Sequence, residues 1–195
     1  MNGHRLKRLT MLAVPVLAAL AVLLPSPSAA ASPSSPVALL HRLLTSPVPK
    51  SELPGGYGSP VVGRYRPTAK AKSHHAIGGV QIDLEGGTAA VLYIIFPNRA
   101  DAEAHWQTAT LKGLTTAAGP AYLPEPSLVV NTWASGKRDG KAMTVGVTNV
   151  AYRFENVIVE ALTTSTTSTK HGDVHGAELL ARFALVHLVS VWDAA

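Results

Sequence analysis

Between residues 128 and 163 the chain leaves room only for strands joined by tight turns, and this constrains the fold more than any other feature. The run 128–134 is followed by Lys137-Arg138-Asp139-Gly140, a hairpin-turn composition, and then by 141–152. That second run alternates, with Met143, Val145 and Val147 on one side and Thr144, Gly146 and Thr148 on the other. A further strand, 154–163, begins almost at once. Parallel neighbours need a crossover of a dozen or more residues, so these strands must run antiparallel.

The same logic extends upstream. Residues 77–84 and 88–96 are two more strands around Glu85-Gly86-Gly87. The second of them, ending AAVLYIIF, is apolar on both faces and reads as a central strand covered on both sides. Asn98 caps a helix expected over 99–116, with Asp101 and Glu103 near its positive end and Ala102, Trp106 and Ala109 inward. A helix over 37–45 follows Ser35 and Pro36 as cap and first turn. The last helix spans about 174–192 and presents Leu179, Leu180, Phe183, Val186 and Val191. Residues 46–72, rich in proline, read as loop, and the polar tract 163–169 reads as loop open to O-linked decoration. The expected order is α-β-β-α-β-β-β-α, an α+β domain with an antiparallel sheet of about five strands and helices packed on it.

The N-terminus bears on location. Arg5, Lys7 and Arg8 precede an apolar run over 11–24, which Pro25 and Pro27 interrupt before Ala29-Ala30-Ala31. These are the three parts of a cleavable export signal over 1–31, cut after Ala31 or Ala30. Fourteen apolar residues fall short of the roughly 20 that span a bilayer, so no stable membrane insertion is expected after cleavage. Residues 32–36 then read as a linker and 37–195 as one domain of a secreted protein.

Removing that leader changes the composition. The whole chain carries a net charge of +5, but without residues 1–31 it has 14 Lys+Arg against 12 Asp+Glu. A surplus of +2 is too small to argue for nucleic acid or an anionic membrane surface. With no cysteine in the chain, neither a disulfide nor a lipid anchor on cysteine is available, and aliphatic packing must supply stability.

Chemistry-bearing motifs are sparse. The sequence has no Gly-x-Ser-x-Gly elbow, no phosphate-binding glycine loop and no paired-histidine metalloprotease motif, and no cofactor is implied. His171 and His175, four apart with Asp173 between them, are the best metal candidates, although glycines flank them and no third ligand is identifiable. His74 and His75 are adjacent and point opposite ways in an extended segment. A secreted hydrolase or metal-dependent enzyme using these histidines is therefore the alternative to a non-enzymatic domain. His187 reads as a core histidine, His105 as half-exposed, and Trp106, Trp133 and Trp192 as core anchors. If helices cover only the Met143/Val145/Val147 side, the face of Thr144 and Thr148, with Trp133, is either solvated or lines a cleft that takes a ligand.

Three segments carry a family likeness. Leu43-Leu44-Thr45 with Glu52-Leu53-Pro54-Gly55-Gly56-Tyr57, then Phe96 to Ala102, then Arg153-Phe154-Glu155-Asn156-Val157-Ile158-Val159, together resemble the extracellular sensor domains of actinobacterial serine/threonine kinases and related secreted lipoproteins. The likeness spans roughly 43–190 and implies an α+β sheet with a cleft and a binding role toward an extracellular ligand or envelope partner. Glu155 stands where that family has glycine and the family's disulfide cysteines are missing, so no ligand site is carried over, and the likeness implies no catalytic residue.

Overall fold

A computed structural model describes residues 35–48, 51, 53–55, 57–84, 88–108, 115–138, 141–165 and 172–193. The export signal, most of the linker, the turns at 85–87 and 139–140, and His171 lie outside the described residues.

In chain order the elements are α1 (Pro36–Thr45), β1 (Pro60–Tyr65), α2 (Ala69–Ser73), β2 (Gly78–Leu84), β3 (Ala89–Ile95) and α3 (Arg99–Gln107), followed by β4 (Thr115–Ala118), β5 (Ser127–Arg138), β6 (Lys141–Phe154), β7 (Val157–Ser165) and α4 (Val174–Asp193). One antiparallel sheet takes all seven strands in the order β1-β2-β3-β7-β6-β5-β4. The expected five strands are therefore seven, and β1, α2 and β4 are additions to the expected order. Residues 46–72 are not all loop: Pro60-Val61-Val62 is a short run with Gly63 behind it, too weak to read as a strand alone, and it is held by pairing with β2. Proline is tolerated there because β1 is an edge strand and Pro60 is its first residue. Five-residue α2 is set by Thr68, whose hydroxyl accepts from the Ala71 amide at 3.2 Å. The helix expected over 99–116 ends at Gln107, and Thr115–Ala118 pairs with β5 as the other edge. Thr163, Thr164 and Ser165 of the polar tract belong to β7.

α1 and α4 cover one face of the sheet, here the inner face. α1 starts as its sequence dictates, with the Ser35 hydroxyl accepting from Val37 N at 3.2 Å and Pro36 in the first turn. It buries Leu39 and Leu43 completely. α4 buries Ala177, Leu180, Ala181, Ala184, Leu188 and Val191, a stripe at helical spacing whose alanines let the axis approach the strands. Leu179 and Val186 lie off this stripe, and Val186 is exposed. α4 is long and apolar enough to cross a membrane by length and composition, yet half of that window is buried inside the protein. Beneath it, Tyr93 of β3 donates its hydroxyl to Ala184 O at 3.2 Å and Tyr152 of β6 donates to Ala181 O at 3.3 Å. These bonds use the second lone pairs of helical carbonyls and fix how α4 sits along the sheet. His187 is a core histidine, buried and stacked on Phe183.

The other face, the outer one, carries a smaller core of Ala71, Ile94, Phe96, Ala102 and Ile158, with Trp106 partly buried beside it. Asn98 caps α3, accepting from Asp101 N at 2.9 Å while its own amide donates to the Asp101 carboxylate at 2.7 Å.

Candidate functional site

β3 reads in sequence as a strand covered on both faces, and the structure meets that expectation only in part. Its inner residues Ala89, Val91, Tyr93 and Ile95 lie under α4 and α1, and at its C-terminal end Ile94 and Phe96 pack in the smaller outer core. Farther back along the strand, Ala90 and Leu92 are only half-buried. There a cavity of about 300 Å³ opens on the outer face, lined by Gln81, Asp83, Ala89, Ala90, Leu92, Glu160 and Leu162. Its size is at the lower end of small-molecule sites.

Register explains its make-up. One rung of the sheet runs Gly63, Gln81, Leu92, Glu160, Ala151, and the next runs Val61, Asp83, Ala90, Leu162, Asn149. Polar groups thus alternate with apolar ones across the floor. At the β1 side a Cβ on Gly63 would meet nothing within 4 Å, and Val61 is 64% exposed, so the cleft runs open toward that edge.

Two amide–carboxylate pairs order the polar groups. Asn149 donates Nδ2 to the Glu160 carboxylate at 3.0 Å, and Gln81 donates Nε2 to Asp83 at 2.7 Å. Burial pushes the Glu160 carboxyl above its usual range, with the Asn149 bond pulling the other way. The Tyr65 hydroxyl, at the head of β1, is raised first by burial and then by the Glu160 charge. Asn149 Oδ1 is buried with no hydrogen-bond partner among the described residues. Acceptors outnumber donors here.

The residues singled out from sequence fall elsewhere. Thr148 is completely buried on the inner face, its hydroxyl donating to Asn131 Oδ1 at 2.7 Å. The condition that helices cover only the Val145/Val147 side is not met, because the chain entering α4 crosses Thr148. A Cβ on Gly172 would come within 2.7 Å of Thr148 N and 2.4 Å of Thr163 O, so only glycine passes. Thr144 is half-buried, and Trp133, a core anchor by expectation, is 51% exposed on the same face of the β5–β6 hairpin. Trp192 is the anchor expected, buried and edge-on to Phe154.

His175 lies exposed in the first turn of α4, and its partner His171 is outside the described residues. His74 and His75 are not in an extended segment: His74 is the C-cap of α2 and His75 has φ 66°, with His74 Nε2 3.2 Å from Thr108 Oγ1 and His75 Nδ1 3.0 Å from Asp101. His105, half-exposed as expected, approaches His74 with ring centroids 5.5 Å apart, and its pKa is lowered by burial, then by His74 and Lys70. Among the described residues no three His, Cys, Asp or Glu side chains are grouped to hold a metal.

Two of the three segments that carry the family likeness, 96–102 and 153–159, meet at the end of the sheet beyond this cleft. The β3–β7 ladder ends at Ile95–Val157; one step further Phe96 N donates to Asn156 O at 2.9 Å. The Asn156 side chain then donates to Phe96 O at 2.6 Å, standing in for the next backbone amide. Arg153, 7% exposed, is paired with Glu103 of α3 at 2.7 Å. Glu155 turns the chain with φ 49°, the left-handed region where glycine fits best, and lies 3.7 Å from Arg99. These motifs lock strand to helix.

No family model matches the chain, and no curated protein matches it. Among solved structures it is similar to the crystal structure of the extracellular domain of PknH from Mycobacterium tuberculosis, at 11% identity and a TM-score of 0.45, covering 77% of this chain and 96% of that one.

Proposed function

We propose that the protein is an exported, non-enzymatic domain that holds a small extracellular ligand or an envelope component in the outer-face cleft of its sheet. One observation carries this reading: Leu92, Ala90 and Leu162 form an apolar floor on which the paired Asn149–Glu160 and Gln81–Asp83 groups are already oriented. Apolar walls with a few fixed polar groups are what a small-molecule seat requires. Export rests on the leader over residues 1–31, and with it a secreted location.

The test is a fragment screen read by backbone amide shifts on the purified protein. Binders should move Gln81, Asp83, Leu92, Glu160 and Leu162 together. Shifts gathered at Trp133 and Thr144 would place the seat on the hairpin instead, and turnover of any fragment would favour the hydrolase.

A further inference from the structure

The chemistry of the cleft restricts what it can hold, granted that the cleft is the ligand seat. Its polar lining consists of two carboxylates and one amide, Glu160, Asp83 and Gln81, with no Lys or Arg among the lining residues. Asn149 donates one of its two amide hydrogens to one Glu160 oxygen, and Gln81 donates one of its two to Asp83. No hydrogen bond reaches the second Glu160 oxygen among the described residues. The cleft therefore presents carboxylate oxygens with no cationic side chain in its lining to offset their charge. On the same face one rung further along, Arg153 is neutralised by Glu103 at 2.7 Å. Tyr65 of β1 is the other ionisable neighbour, and it is neutral at physiological pH because its hydroxyl is raised above an already high value.

Around this acceptor cluster the floor is aliphatic: Leu92, Leu162 and Ala90, running out to exposed Val61 and open space over Gly63. We infer that the cleft takes an amphiphilic organic cation, a protonated amine whose N–H groups reach the Glu160 carboxylate and whose short hydrocarbon body lies along Leu92, Leu162 and Ala90. The ammonium offsets the carboxylate charge, and the tail covers half-buried apolar side chains.

The experiment compares three six-carbon probes that differ only at the head: n-hexylammonium, 1-hexanol and hexanoate, each titrated at pH 7 into the purified protein with amide shifts as the readout. Hexylammonium should bind about tenfold more tightly than hexanol, the size of effect expected for a partly buried charge pair, and hexanoate should bind least. Glu160→Gln, which keeps the side chain's size and its bond to Asn149, should bring hexylammonium down to the affinity of hexanol. Hexanol binding at the cleft as well as hexylammonium would overturn the cation assignment and leave the seat standing, as would a preference that survives Glu160→Gln. Failure of all three probes to shift cleft residues would overturn both the assignment and the seat.

Discussion

Replacing Asn156 separates a structural lock from a ligand contact at the end of the sheet. Its side chain is 7% exposed and donates to Phe96 O at 2.6 Å, where the ladder has run out of backbone amides. Asn156→Ala removes a hydrogen bond with a net value of about 1 kcal/mol. It also strands the carbonyl of fully buried Phe96, at roughly 1–2 kcal/mol more. The expected loss is about 2–3 kcal/mol, which for a domain of this size lowers Tm by about 5–10 °C and the urea midpoint by about 1 M. Asn156→Asp sharpens the test, because a carboxylate facing a carbonyl cannot donate. Its deficit should exceed that of the alanine variant at pH 7 and shrink once the carboxyl is protonated near pH 3. Urea unfolding followed by far-UV circular dichroism measures both. An alanine variant within about 0.5 kcal/mol of the parent would refute the reasoning.

Other expectations follow from the same contacts. Glu155→Gly should raise stability by about 0.5–1 kcal/mol in urea unfolding, since it relieves φ 49° and gives up only an exposed pair with Arg99. Because burial raises the Glu160 carboxyl, the folded state resists its ionisation, so the stability it contributes is full below the unfolded value near 4.5 and is lost as pH rises. Glu160→Gln should therefore gain Tm relative to the parent at pH 7 more than at pH 4. His105 is shifted the other way, so its contribution is present above the unfolded value near 6.5 and lost as pH falls. His105→Gln should flatten the Tm profile between pH 6.5 and 5. Tyr93→Phe, which removes the bond to Ala184 O, should cost about 1 kcal/mol by thermal melting.

The antiparallel core of the sheet was legible because turn spacing leaves no alternative between 128 and 163, and α1 and α3 announce themselves through Ser35-Pro36 and Asn98-x-x-Asp101. The edges were not legible. β1 and β4 are short and owe their form to neighbouring strands, an influence that local propensity does not contain. Which side of β6 is inner is not legible, because Val145 and Val147 look more buried than Thr148 in sequence, while the tight passage at Gly172 decides otherwise. The cleft had a visible signal in the sequence. Gln81 and Asp83 alternate with Val80, Ile82 and Leu84, and Glu160 interrupts an apolar strand, so each marks the outer face. Their meeting on adjacent rungs depends on β3 lying between β2 and β7, which is long-range information.

The seat itself is tested most directly by filling it. Leu162 lines the cleft floor and is half-buried, so Leu162→Trp should occupy the cavity while the inner core under α4 stays intact. Titrating a cleft-binding fragment into parent and variant, with amide shifts as readout, should show binding in the parent and at least a tenfold loss in the variant, with Tm within a few degrees. Unchanged affinity in a folded Leu162→Trp protein would mean that the ligand rests somewhere other than this face of the sheet.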